Sequence, residues 1–164
     1  MGTRCGDVDP GALEFLAKKE NLDFAQVLDI LNQESGVLGI SRNFSSDFRE
    51  LKDAEIKYND QAALAREIFA YRVAKYVGSY AAAMNGVDNI VFTAGVGEND
   101  SDIRMEICSY LEYLGITIDE VKNRDEAEAF RISDGMSRVN VLVIKTNEEL
   151  EIAREAAEVA RVYH

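Results

Sequence analysis

Two short apolar runs, each followed by a turn and then by a helical pattern, constrain the fold of this sequence more than any other feature. The first run, residues 90–93, is β-branched and aromatic, and the glycine-containing stretch 94–99 follows it. The second run, residues 139–144, leads into a closing helix with Leu150 and three alanines on one face. Because parallel strands need a crossover helix between them, this alternation predicts an α/β fold with at least partly parallel strands.

The first half of the sequence is patterned for helices. Pro10 after Asp9 is typical of the first position of a capped helix, and Asp23 and Asp47 are predicted to cap two more. Residues 60–84 carry apolar side chains at helical spacing and predict one long amphipathic helix. Its apolar stripe comprises Leu64, Ile68, Phe69, Val73, Tyr76, Val77 and Tyr80, whereas Arg66, Glu67, Arg72 and Lys75 lie mostly off it.

The composition of the chain excludes several classes of protein. The 164 residues are 47% hydrophobic and 29% charged, which predicts one globular domain. A net charge of −12, with no basic run longer than Lys18-Lys19, argues against nucleic-acid binding. Cys5 and Cys108 lack metal-ligand spacing, and there is no apolar segment for a membrane span or signal, so we expect a cytoplasmic protein with free thiols. The only histidine, His164, is the last residue, which argues against catalysis by histidine in this chain.

The segment 92–99 places small residues where a strand ends and a helix begins. Backbone without side chains can approach a flat or anionic ligand closely, and a nucleotide fits such a place. A tight turn without any ligand explains the glycines equally well. Glu98 favours a nucleoside over bare phosphates, because its carboxylate would repel phosphate oxygens, but it can instead stabilise the helix dipole.

Three other sites carry candidate chemistry, each with a simpler alternative. In Asp47-Phe48-Arg49 an acid and a guanidinium flank an aromatic ring, but Asp47 is most simply a helix cap and Arg49 a solvated side chain. Glu148 follows a strand and can ligate Mg²⁺, or it is an ordinary first-turn acid. Arg4 lies among glycines, as in loops that hold a guanidinium against a phosphate or carboxylate, or it lies on a frayed terminus.

Taken together, these segments resemble successive motifs of the acetate kinase family, and the resemblance covers nearly the whole chain. Cys5 stands where the family commonly has serine, Ala94 where it commonly has glycine, and Lys145 where it commonly has proline. We expect the first two replacements to be tolerated, and the third to affect the local backbone. The matching segments are residues 1–10, 35–41, 41–49, 69–76, 92–99 and 146–150.

The resemblance implies a member of the superfamily of acetate and sugar kinases, Hsp70 and actin, whose domains have a ribonuclease H-like α/β core. It implies that Arg4 stabilises the phosphoryl group during transfer and that Glu148 helps to hold Mg²⁺. Asp47, Phe48 and Arg49 would contact ATP. The residues implied for the adenosine pocket are Gly95, Val96, Gly97, Glu98 and Asn99.

The implied reaction is phosphoryl transfer from ATP to acetate, giving ADP and acetyl phosphate, in a homodimeric enzyme. The family's N-terminal portion, which bears the acetate-binding and catalytic groups, has no counterpart here. We therefore expect residues 1–164 to be the C-terminal nucleotide-binding domain of an acetate kinase, with a helix-rich N-terminal part, and to be inactive alone. Two alternatives stay open: part of a propionate or butyrate kinase, or a non-catalytic module for nucleotide binding or dimerisation.

Overall fold

The computed structural model describes residues 1–124 and 129–162, and its contacts divide the chain into two units, Met1–Tyr80 and the residues from Ala81 onward. The boundary between the units falls inside one long helix. In chain order the elements are α1 Pro10–Glu20, α2 Phe24–Gln33, α3 Gly36–Ile40, α4 Phe48–Ile56, α5 Asp60–Ala83, β1 Asn89–Phe92, α6 Ala94–Asn99, α7 Ser101–Ser109, α8 Glu120–Asn123, β2 Ala129–Arg131, β3 Asn140–Ile144 and α9 Glu148–Val162.

The three predicted helix caps in the first unit are confirmed. The Asp9 side chain caps α1, which has Pro10 at its first position. Asp23 and Gln26 form a reciprocal capping box at α2, with both hydrogen bonds at 2.9 Å. Asp47 accepts a hydrogen bond from the second backbone amide of α4 at 2.8 Å. Local side-chain chemistry thus fixes where these helices begin.

The long helix α5 forms as expected, but the prediction of its apolar stripe is partly wrong. Its buried apolar positions in the first unit are alanines, whereas Leu64, Tyr76 and Tyr80 are exposed. Small side chains let neighbouring elements approach the helix backbone closely, while Phe69 of the stripe is only partly buried against the core. The buried alanines of the first unit on α5 are Ala62, Ala65, Ala70 and Ala74.

Arg66 also departs from the expectation of a residue off the packed face, because only 3% of it is exposed. Its Nε donates to the Glu55 carboxylate at 2.6 Å, and its Nη1 donates to the Phe48 carbonyl at 3.5 Å. A guanidinium can be buried only if it is paired, and these partners lie at opposite ends of α4. Arg66 therefore ties α4 to α5 within the core of the first unit.

The sheet of the second unit is mixed, with strand order β1-β3-β2. β1 runs parallel to β3 and β2 antiparallel to it, which confirms an α/β protein with partly parallel strands. Burial alternates along β1, where Ile90 and Phe92 are buried and Val91 is 47% exposed. One face of β1 is therefore buried and the other is exposed.

Between these strands the prediction was less accurate. The sequence predicts one helix from the glycine turn to Gly115, but α7 ends at Ser109, and a 3₁₀ turn, Glu112–Leu114, precedes Gly115 in the left-handed conformation. The acidic stretch 116–129 predicts an edge strand and a charged surface excursion, and its residues 125–128 lie outside the described residues. In the ranges that are described, each helix is too short or too polar to cross a membrane.

Candidate functional site

The two strand–helix junctions of the second unit meet at one sheet edge. Because β1 and β3 are parallel, with Phe92 opposite Val143, both strands end at the same edge. Glu98 of α6 bridges the junctions: its Oε1 accepts from the Ala94 amide at 2.6 Å, from the Thr146 amide at 2.8 Å and from the Thr146 hydroxyl at 3.0 Å. In open α/β sheets, ligands bind in the crevice at this edge.

These hydrogen bonds hold Glu98 in its charged form. The Thr146 amide contributes most to lowering the pKa of the Glu98 carboxyl below its ordinary value, and the Thr146 hydroxyl and Ala94 amide add to the effect. Glu98 thus acts at the N-terminus of α6, as one of the two sequence-based alternatives expected. In the described part of the chain its second oxygen, Oε2, accepts no hydrogen bond and is available to a ligand.

The glycines of this turn differ in their surroundings. A Cβ atom on Gly95 would meet nothing within 4 Å, so this backbone is open to a ligand. A Cβ on Gly97 would lie 3.4 Å from the Phe92 carbonyl carbon, an ordinary contact. The residue that needs left-handed backbone is Ala94, at φ +58°, which explains why glycine is common at this position in the family that the sequence resembles.

Glu148 begins α9 beside this junction. The Asn147 side chain caps α9 by accepting from the Leu150 amide at 3.1 Å, as the sequence predicts. Glu148 is exposed and has no partner among the described residues, which contain no group of three or more metal-ligating side chains. One free carboxylate fits Mg²⁺, which retains several waters and takes few protein ligands.

The segment that carries Arg4 is ordered, so the frayed-terminus alternative is wrong. The Ser35 amide donates to the Thr3 carbonyl and the Cys5 amide donates to the Leu31 carbonyl, both at 2.8 Å. Gly36, at φ +61°, lies under this segment, and a Cβ there would be 2.8 Å from the Arg4 carbonyl oxygen. The Arg4 side chain itself is exposed and has no partner in the described ranges.

The Asp47-Phe48-Arg49 segment is engaged with itself and with the core of its unit. Arg49 donates from Nε at 3.2 Å and from Nη2 at 2.7 Å to the two Asp47 oxygens, while its side chain stays 90% exposed. This pairing lowers the pKa of the Asp47 carboxyl from 3.8 to about 2. The Phe48 ring packs edge-on against Phe69, with centroids 4.5 Å apart. Asp47 is therefore a helix cap, and Arg49 is exposed but paired.

The structure brings the predicted residues together in two groups. In the first unit a Cβ on Gly2 would lie 3.7 Å from the Cβ of Ser46, so the Arg4 segment adjoins the loop that leads into Asp47. In the second unit the 95–99 turn adjoins the junction that carries Glu148. Sequence reasoning missed Arg104, which is buried beneath this turn. Its only signal was an arginine beside Ile103 and Ile107 in an apolar helical pattern.

The fold and this edge define an α/β protein with a candidate ligand site at the carboxyl ends of parallel strands. Comparison with known proteins gives the family. The Acetokinase family profile matches residues 1–154. The chain therefore belongs to the Acetokinase family, which confirms the resemblance seen in its motifs.

Individual relatives agree with this assignment. The acetate kinase of Lachnoclostridium phytofermentans is 54% identical over 158 residues, covering 96% of this chain and 40% of that protein. The crystal structure of Porphyromonas gingivalis acetate kinase matches at TM-score 0.89 and 46% identity, covering 98% of this chain and 40% of that one. A propionate kinase structure from Francisella tularensis matches at TM-score 0.85 and 41% identity, covering 94% and 39%. The chain thus spans about 40% of the length of these relatives.

Proposed function

We propose that residues 1–164 form the C-terminal, nucleotide-binding domain of an acetate kinase, which transfers a phosphoryl group from ATP to acetate. The observation that carries this proposal is the Glu98–Thr146 bridge, because it holds an open glycine turn and the free Glu148 carboxylate at one sheet edge. The family assignment and the names of the relatives support the choice of reaction.

In this proposal the adenosine lies against the backbone of Gly95 to Asn99, with Oε2 of Glu98 free to accept from a ribose hydroxyl. Asp47, Phe48 and Arg49 are proposed as ATP contacts because the family resemblance implies that role. Arg49 is exposed enough to reach a ligand, although it would have to share its guanidinium between Asp47 and that ligand. Phe48 is half-buried and packs in an edge-to-face arrangement with Phe69.

Two exposed charged groups are assigned to phosphoryl transfer. Charge spreads over the equatorial oxygens of the transferred group, and a bidentate guanidinium is suited to stabilise it. We assign this role to Arg4, whose segment is fixed by backbone hydrogen bonds and whose side chain is exposed. Glu148 would hold Mg²⁺, and the bound ion would neutralise charge on the phosphate oxygens.

The finer fold assignment is also a proposal: a ribonuclease H-like, actin-like ATPase core in the second unit, preceded by a helix-rich N-terminal part. The parallel β1–β3 pair with an antiparallel edge strand supports it.

We further propose a cytoplasmic homodimer. The free thiols of Cys5 and Cys108 fit a reducing compartment, and exposed apolar residues of α5 offer a surface for self-association. Light scattering of the purified protein measures the oligomeric state.

The experiment that tests the nucleotide site is calorimetric titration of ADP into the 164-residue chain and two matched variants. Gly95→Leu places a side chain in the open space above the turn without an internal clash, and we expect it to abolish ADP binding. Gly135→Leu is the control, because a Cβ there also meets nothing within 4 Å, but the residue lies in a different loop of the same unit.

Unchanged ADP affinity in Gly95→Leu, or an equal loss in Gly135→Leu, would count against the pocket. The chain alone is expected to form no acetyl phosphate, since its 164 residues match only about 40% of the acetate kinases. Turnover of order 1–100 s⁻¹ by the isolated chain would contradict this expectation.

A propionate kinase is the second candidate, favoured by the match to the Francisella tularensis structure. The residues assigned here contact nucleotide, metal and phosphoryl group rather than the acyl chain, so they serve either reaction. Comparing kcat/KM for acetate and propionate in the full-length protein decides between the two.

A further inference from the structure

We propose that Arg104 is a positioning residue that holds the 95–99 turn in its ligand-binding shape. This inference rests on the proposed nucleotide site but concerns a side chain that touches no ligand. Arg104 lies on α7 and is 2% exposed. Its Nη1 donates to the carbonyl oxygens of Gly97 at 2.9 Å and of Glu98 at 2.8 Å.

These two carbonyls belong to the last turn of α6, where helix carbonyls lack partners within the helix. With six residues, α6 is too short to be stable by itself in water. Glu98 binds its first amide, and Arg104 binds the carbonyls near its other end. Hydrogen bonds from side chains at both ends therefore stabilise α6, which is too short to be stable by its own hydrogen bonds.

The other side of the Arg104 guanidinium is fixed by α8. Its Nε donates to the Asn123 side-chain oxygen at 2.9 Å, and its Nη2 donates to the Asn123 carbonyl. The amide nitrogen of Asn123 donates in turn to the Ser101 carbonyl at 2.8 Å, and Asn123 itself is 2% exposed. Four hydrogen bonds to fixed acceptors hold the guanidinium in one orientation. This orientation fixes the positions of the two α6 carbonyls that accept from it.

An ordered turn binds a nucleotide more tightly than one that must be ordered on binding, because the ordering cost is subtracted from affinity. An apolar side chain of similar length at position 104 would fill the space but remove the hydrogen bonds that Arg104 donates to the Gly97 and Glu98 carbonyls and to the Asn123 side-chain oxygen. Lysine would keep the charge, but its single ammonium group could not donate both to the α6 carbonyls and to Asn123. Local order at 95–99 should therefore follow the number of hydrogen bonds that residue 104 can make.

The test measures two quantities on the 164-residue chain: amide hydrogen exchange by mass spectrometry, and ADP affinity by calorimetry. In Arg104→Met, exchange at residues 94–100 should accelerate by about tenfold or more while exchange in β1 and β3 stays within twofold. The ADP Kd should rise by about tenfold, with Arg104→Lys between Met and wild type. Arg154→Met, at an exposed arginine of α9, is the control and should change neither quantity.

Three results would overturn the proposal: unchanged exchange at 94–100 in Arg104→Met, equal acceleration there and in β1 and β3, or the same effect from Arg154→Met. If Arg104→Met does not fold, Asn123→Ala decides, because it removes the acceptor of Nε and leaves the guanidinium in place. Local acceleration at 94–100 supports the proposal, and its absence refutes it. If the wild-type chain binds no ADP, the proposed function fails, while the exchange measurement still decides the role of Arg104.

Discussion

Replacing Ala94 with glycine should stabilise the protein, although it removes a side-chain carbon. Ala94 adopts φ +58°, and left-handed backbone costs a residue with a Cβ atom about 1–2 kcal/mol. Glycine avoids this strain but loses roughly 0.5–1 kcal/mol more conformational entropy on folding than alanine. The expected net gain in the free energy of unfolding is therefore about 0.5–1 kcal/mol.

The surroundings of Ala94 make this change a clean measure of backbone strain. Its side chain is exposed, so little packing is lost, and its amide can still donate to Glu98 in the variant. The neighbouring glycine supplies a matched control, because the substitution there runs in the reverse direction, from glycine to alanine. Gly95 lies within α6 without a left-handed φ, and a Cβ there has open space. Gly95→Ala should therefore also stabilise the protein, by roughly 0.5–1 kcal/mol, through helix propensity.

The assay is equilibrium urea unfolding followed by far-ultraviolet circular dichroism. Both variants should show a higher midpoint than the wild type with the same dependence on urea, which indicates that stability rather than compactness has changed. The reverse result for Ala94→Gly, a lower midpoint with an unchanged slope, would refute left-handed strain at this residue. If only one of the two variants has a higher urea midpoint, the effect of left-handed strain at residue 94 is distinguished from that of helix propensity at residue 95.

Three further predictions concern charged groups, the first two in the full-length enzyme. Arg4→Ala should lower kcat by roughly 10³-fold with little change in nucleotide affinity, and Arg4→Lys should stay close to alanine; equal loss of affinity and kcat would contradict this. Glu148→Ala should raise the Mg²⁺ concentration for half-maximal rate, whereas the neighbouring Glu149→Ala should not; an unshifted midpoint would show that Glu148 is no metal ligand. Glu98 should stabilise the isolated chain above the ordinary glutamate pKa of 4.5 and lose this contribution as pH falls through its lowered folded value. An acid titration of stability in Glu98→Ala should accordingly be flatter than in wild type, and parallel curves would exclude the effect.

The local signals in the sequence were read correctly where one stretch of chain determines the structure. Asp9, Asp23 and Asp47 cap their helices through groups two or three residues away, so a short sequence pattern suffices to find them. The strand pair was predicted for a similar reason, because a short β-branched run between turns is compatible with few structures other than a strand.

Features that depend on distant partners could not be predicted. Arg104 is held by Asn123, and Arg66 by Glu55, and in each case an isolated arginine on a helical pattern predicts a solvated side chain. The apolar stripe of α5 was misassigned because the prediction followed the large apolar residues. The buried face consists of alanines, which allow close packing against neighbouring elements. The candidate site divides in the same way: the glycine turn was found from sequence, while the contacts that hold it were not.

The parallel pairing of β1 with β3 also sets the order in which the second unit can be assembled. Asn89 pairs with Asn140, about fifty residues later, whereas Arg131 of β2 pairs with Leu142 of the same β3. Closing the longer loop has the greater entropic cost, so we expect β2 and β3 to pair first, as pulse-labelled hydrogen exchange would detect. During synthesis at roughly 5–20 residues per second, β1 must then wait about 3–10 s for its partner. Until β3 has been made, the strand pair whose end carries the Glu98–Thr146 bridge cannot form.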